Sequence, residues 1–444
     1  MRATLTQTPP LREDRLRMPR SNRLLRAAVP ALLIAVLAGC TAAPAPEPTP
    51  EPTATVPAPS GDGVLRIGTL LPTTGGTAVL GPAMVAAVEI AVREINEAGG
   101  VNGAPVEVFH RDSGDAGEER VEAAFGELVE RGIDVVVGPS SSVLVERVLP
   151  LAVEAGVAVI TPGASYPELT ELDDDGLLAR TMPSAGLQGI ALSQLILQAR
   201  ERPEVVLVHA GDGTGAAIDE RLSHALEAED GTLAASLEFD PEGDSAALAA
   251  QVAEQEPSDV VLATRGDQLE QTAALAQALI AEGLDAERLW FTNENLADYG
   301  PLVAGGALEG AHGIQIGAQP GDAFVQRLQQ ADPAVLGTAL ALETYDAVVL
   351  AALAAILAAD DGGASVAALL ADASGGGPAV CTSFGACIAA LADEQDIDYD
   401  GLSGPLDLDA SGDPRRGTFG VHVYDAAGAP QRTEQIVPAL VSAG

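Results

Sequence analysis

Three short runs in this chain carry side chains able to grip a small charged molecule. Gly138-Pro139-Ser140-Ser141-Ser142 places three hydroxyls directly ahead of a helical pattern. A helix N-terminus adds unpaired N–H groups and a positive dipole end, so together they suit an anion. The same run also reads as a plain helix cap, which needs only one hydroxyl. Thr161-Pro162-Gly163-Ala164-Ser165-Tyr166 brings backbone groups and the Ser165 hydroxyl to one place, or else serves as a simple turn. Asn293-Glu294-Asn295 offers a carboxylate that could receive an ammonium, or one that merely stays in water. Anion donors on one body and a carboxylate on another are what a zwitterion requires.

Other chemistry is poorly represented. Gly211-Asp212-Gly213-Thr214-Gly215 invites a dinucleotide reading, but the third glycine spacing is missing. The histidines at 110, 209, 224, 312 and 422 are scattered without ligand spacing, and no Walker loop or Ser/His/Asp order stands out. No cofactor, no metal and no enzymatic activity are expected. Besides Cys40, only Cys381 and Cys387 are present, six positions apart. So close a pair in an exported chain favours a small disulfide loop over a metal site.

The elements that must position these runs alternate strand and helix, the pattern of parallel sheets covered by helices. Strands are expected at 64–71, 106–110, 133–137 and 157–160, with helices from Pro82, over 117–131 and over 143–155. A second cycle follows from about Gly186. Its strands are expected at 205–209, 233–239, 260–263 and 289–292, between helices ending near 200, 229, 254 and 281. Ligands in such sheets bind beyond the carboxyl ends of the strands. After His312 the chain reads as helical, and the charge-free stretch 347–359 is too short to span a bilayer, so it reads as a buried helix. Short strands are expected near 420–424 and 435–437.

At the N-terminus, Leu37-Ala38-Gly39-Cys40 follows an apolar run from Ala27 and the cations Arg20, Arg23 and Arg26, and it resembles a bacterial lipoprotein lipobox. Residues 1–39 are expected to be removed, from a start at Met1 or Met18, leaving a lipidated Cys40 at the extracytoplasmic face. Residues 41–60, rich in proline, form a tether that reaches about 60 Å if extended as polyproline II. The chain holds 23 basic residues, none of them lysine, against 64 acidic ones, for a net charge of −41. Loss of the leader's seven arginines and two acids would make that about −46. Nucleic acid and anionic membrane surfaces repel such a body, so membrane association is expected through the lipid alone.

Four runs carry a resemblance to a known family. They are Ile67-Gly68-Thr69-Leu70-Leu71-Pro72-Thr73-Thr74-Gly75, Ile95-Asn96-Glu97-Ala98-Gly99-Gly100-Val101-Asn102-Gly103, Val137 to Ser142, and Ile160 to Ser165. Nearly all of Val64 to Gly444 resembles the type I periplasmic solute-binding proteins of the leucine/isoleucine/valine-binding family, receptors of ABC importers. Asp396-Ile397-Asp398-Tyr399-Asp400-Gly401 with Ser403-Gly404-Pro405, after the cysteine pair, resembles a branch with a disulfide in the returning lobe.

The resemblance implies an α/β fold of two Rossmann-like lobes with parallel central sheets, joined by three crossover segments. Lobe one would span 64–184 and return over 316–413; lobe two would span 185–315 and be completed by strands in 414–444. Ser142, with Ser141 beside it, and Ser165 would hold a ligand carboxylate, while the backbone at Ala164 and the side chain of Glu294 would hold an ammonium. Three positions depart from the family pattern: Ala185 replaces an aspartate, Leu80 an aromatic lid and Thr214 a tyrosine. These departures weaken recognition of the usual amino acids. Arg265 would contact a ligand of extra negative charge, or is a surface arginine among acids.

The function expected is capture of a small polar solute, foremost an amino acid of branched-chain or related type, for an ABC permease. A sensor reporting to a membrane partner is the alternative, and an exported enzyme a third reading that lacks a nucleophile or metal cluster.

Overall fold

The computed structural model describes residues 58–438. The leader, Cys40 and most of the tether lie outside the described residues. In chain order the first elements are β1 (Arg66–Leu71), α1 (Gly81–Glu97), β2 (Glu107–Asp112), α2 (Val121–Val129), β3 (Val135–Val137), α3 (Ser142–Ala155), β4 (Ala158–Thr161) and β5 (Leu178–Arg180). The five strands make one wholly parallel sheet in the order β2-β1-β3-β4-β5. Its central strands are buried on both faces, which is why they read as unbroken apolar runs such as Val135–Val137.

The chain then builds α4 (Leu187–Ala199), β6 (Glu204–Ala210), α5 (Gly213–Glu227), β7 (Thr232–Phe239), α6 (Ser245–Ala253), β8 (Asp259–Ala263), α7 (Leu269–Ala281), β9 (Leu289–Phe291) and β10 (His312–Ile316). It returns to the first lobe with α8 (Asp322–Ala331), α9 (Ala341–Ala358), α10 (Gly363–Ala368), α11 (Leu370–Ser374), β11 (Ala379–Cys381), α12 (Phe384–Ala392), β12 (Ile397–Gly401) and β13 (Gly404–Pro405), the three strands pairing in a small sheet of their own, β11-β12-β13. Finally β14 (Phe419–Tyr424) and β15 (Pro430–Ile436) add to the second sheet, whose order is β15-β14-β10-β9-β8-β6-β7. Strands β6 to β10 are parallel there, and β14 and β15 run antiparallel. The chain therefore passes between the two lobes three times.

The structure departs from the sequence expectations in three places. The segment after residue 312 opens with strand β10 rather than helix, and β5, three residues long, was not foreseen. The last strand begins at Pro430, well before residue 435.

Three polar ties fix the returning segment. Helix α9 is buried from Ala341 through Ala355 and packs on α1, with 83% of its length inside the fold. It carries Asp346, whose carboxylate accepts from Tyr399 Oη (2.7 Å), Leu402 N (2.9 Å), Ser403 N (2.7 Å) and Ser403 Oγ (2.6 Å). At its far end, Asp360 and Asp361 accept the backbone amides of residues 60–63 at 2.9–3.1 Å and pin the incoming chain. Arg180, 1% exposed, pairs with Asp413 and donates to the Tyr166 carbonyl at 2.9 Å.

Candidate functional site

Each parallel array reverses its winding once, and ligand clefts in such sheets open at the reversal. In the first sheet it falls between β1 and β3, in the second between β6 and β8. A recess opens at both places. The first, of about 640 Å³, is lined by Leu80, Ser113, Asp115, Ser140, Ser141 and Gly163 among others. The second, of about 220 Å³, is lined by Thr214, Thr264, Arg265, Asp267 and Glu294 of the second lobe, with Tyr166 of the first reaching across. Walled by both lobes is a third, central cavity of about 500 Å³, lined by Gly163, Ser165, Asn293, Gln315, Glu343 and Arg432. Gly163 and Leu340 wall both the first recess and this cavity, so the two adjoin.

The serine run takes its shape from Gly138. Its φ of +103° and the Leu70 carbonyl 2.2 Å from where a Cβ would sit admit only glycine, turning the chain sharply out of β3. Gly163 likewise lets two loops touch, since a Cβ there would meet the Ser140 carbonyl at 2.7 Å. Helix α3 then starts with Ser141 at the cap position, but no side chain caps it. The capping alternative for the serines is therefore not what the geometry shows. The Ser141 hydroxyl has no protein partner among the described residues and lines the first recess. The Ser142 hydroxyl is differently engaged: buried to 7% exposure, it accepts the Tyr166 amide at 3.2 Å and lines none of the three recesses. Ala164 is fully buried, and its amide is spent on Thr161 Oγ1 at 3.2 Å. Ser165 lines the central cavity.

Across the gap, Glu294 sits on a single 3-10 turn, Asn293–Asn295. Burial raises its carboxyl above the usual range, and the hydrogen bond from Gln188 pulls the other way. Gln188, fully buried on α4, also accepts the Asn293 amide at 2.7 Å, so one side chain sets the whole turn. Arg265 is half-exposed, with Asp212 at 3.4 Å and Asp267 at 3.5 Å. Thr214 and Leu80 line the second and first recesses respectively, and Ala185 is buried. The structure thus puts Ser141 and Leu80 on the first recess, Ser165 on the cavity adjoining it, and Glu294, Thr214 and Arg265 on the second recess, and leaves Ser142 and Ala164 off all three.

Three participants are not singled out by the sequence, Gln188, Glu343 and Arg432, and Tyr166 enters it only as the end of the Thr161 loop. A glutamine inside the apolar run Leu187–Ala199 and a glutamate at the head of α9 were the available signals, since polar groups on buried helices need a reason. Among the described residues no group of His, Cys, Asp and Glu is arranged to hold a metal ion. The sulfurs of Cys381 and Cys387 lie 2.06 Å apart.

Comparison with known proteins follows the same lines. Residues 64–413 match the family model described as periplasmic binding protein. Over 164 residues the chain is 29% identical to the leucine-, isoleucine-, valine-, threonine- and alanine-binding protein of Pseudomonas aeruginosa, covering 37% of this chain and 43% of that one. The chain spans less than half the length of the curated relatives it matches. In fold it is similar to an ABC transporter substrate-binding protein of Desulfitobacterium hafniense in complex with leucine (TM-score 0.60, 18% identity, 83% of this chain and 100% of that one). It is also similar to a solute-binding protein of Rhodopseudomonas palustris in complex with 4-hydroxybenzoate (TM-score 0.58, 17% identity, 84% and 97%). These relatives are binding proteins, not enzymes. With its two-lobed architecture of type I and a match running from residue 64 to 413, the chain belongs to the periplasmic binding protein family.

Proposed function

We propose that this protein is an extracytoplasmic receptor that closes its two lobes on a small carboxylate-bearing solute, foremost an amino acid, and passes it to an ABC importer. One observation carries the reading. The unpaired Ser141 hydroxyl at the uncapped start of α3 and the desolvated Glu294 carboxylate lie on opposite lobes, bridged by residues 163–166. Hydroxyl and helix amides suit a carboxylate, and Glu294, its charge held in a poorly solvated place, suits an ammonium. A solute touching both lobes stabilises their closed arrangement and shifts the population toward it. The leucine and the 4-hydroxybenzoate held by similar proteins share a carboxylate, and Glu294 is what would favour the ligand that also bears an amine.

Thermal-shift measurements against amino acids and small carboxylic acids test this directly, because a ligand bound only by the folded form raises its melting temperature. No shift with any of them would overturn the proposal. Lipidation of Cys40 would hold the receptor at the membrane, and a Cys40→Ala variant should then appear in the medium or periplasm. The Cys381–Cys387 pair is proposed to be oxidised there. Denatured protein should accordingly show no free thiol from these two without reductant.

A further inference from the structure

The central cavity is built unlike a socket for an aliphatic side chain. Glu343, on the first turn of α9, is 5% exposed, and its carboxylate has no side-chain partner among the described residues. Its Oε1 lies 3.0 Å from where a Cβ on Gly317 would sit. Arg432 gives Nη2 to the Gly317 carbonyl (3.2 Å) and to Gln435 Oε1 (3.1 Å). Its Nε and Nη1 make no hydrogen bond among the described residues. The two side chains wall the same cavity and do not pair with each other, so an acceptor and a donor stand ready around one space. Ser165, Asn293 and Gln315 line the rest of that space.

We propose that this cavity is the subsite for the distal end of the solute and that it takes an amide, whose N–H groups donate to Glu343 and whose carbonyl accepts from Arg432. The inference rests on the reading of the cleft as the solute site and names its ligand class: an amino acid or short peptide with an amide beyond its carboxylate. A branched aliphatic chain packed here would strip water from the Glu343 carboxylate and give nothing back, a cost that sites built for hydrogen bonding impose on apolar analogues. Burial has already raised the Glu343 carboxyl to about 7, the mark of a group poorly served by solvent. The cavity, about 500 Å³ and adjoining the recess at Ser141 through Gly163 and Leu340, lies in the size range of small-molecule pockets.

The test is calorimetric titration of the purified protein with leucine, glutamine and glycylglycine, repeated on Glu343→Leu and Arg432→Met. At least one amide probe should bind tenfold or more tightly than leucine, and each substitution should cut that ratio at least tenfold. A merely structural role would move the melting temperature of the ligand-free protein and leave the ratio intact, which would overturn the proposal. Leucine binding as tightly as both amides would overturn this proposal alone. No binding of any of the three would overturn this proposal, while a shift from another small carboxylate in the wider screen would leave the cleft reading standing.

Discussion

Gln188 donates through Nε2 to both carboxylate oxygens of Glu294, at 3.1 and 3.0 Å. Removing the carboxylate should therefore do something specific. Glu294→Ala is expected to abolish the thermal shifts caused by amine-bearing ligands while shifts from carboxylates that lack an amine persist. Equal loss of both classes would mean that another group receives the ammonium.

Ser141 and Ser142 separate two roles that adjacent serines might otherwise share. Ser141→Ala should weaken carboxylate ligands by about 1 to 3 kcal/mol, the usual worth of a hydrogen bond to a charge. Ser142→Ala acts only through the Tyr166 amide it holds, so its effect on carboxylates should be the smaller. Titration of both variants with one ligand decides the order.

Stability should depend on pH through Glu343, whose carboxyl burial lifts from 4.5 to about 7, with Asp346 adding to the rise. A raised carboxyl favours the fold while protonated. Its contribution is complete below pH 4.5 and is lost as pH climbs through about 7. Relative to Glu343→Gln, the native protein should lose up to about 3 kcal/mol across that window. Asp134, lifted by its own burial to about 7, is present in both proteins and cancels. Urea unfolding at pH 4.5 and pH 8 measures the difference; parallel curves would refute it.

Asp346 ties α9 to residues 399–403 through four donors. Asp346→Ala leaves those donors buried without an acceptor and should cost about 3 to 5 kcal/mol of unfolding free energy. A loss below 1 kcal/mol would show that water replaces the carboxylate.

The alternation of strands and helices from Val64 to residue 292 was legible because parallel strands buried on both faces leave apolar runs that turn residues punctuate. Strand β5 was not legible, since Leu178–Arg180 is too short to show a period. Nor was β10, where His312-Gly313-Ile314-Gln315-Ile316 interrupts its apolar residues with a glycine and two polar ones. The serine run pointed to the right corner of the molecule. Sequence could not say which hydroxyl stays free, because that depends on how the first turn of α3 meets the Tyr166 loop. Glu343 left a signal as a charged group heading an apolar helix, but its sharing a cavity with Arg432, 89 positions on, depends on the chain returning to the first lobe and then crossing back, which no local pattern shows.

Helix α9 also links the point where the chain enters the fold to the central cavity. One end, at Leu340, borders the solute cavity, and the other reaches Asp360, where residues 60–63 are held. Eighteen helical residues separate these points by about 27 Å. The chain therefore enters the fold at one end of this helix and meets the cavity at the other, so a single rigid rod couples the point of entry to the cavity wall.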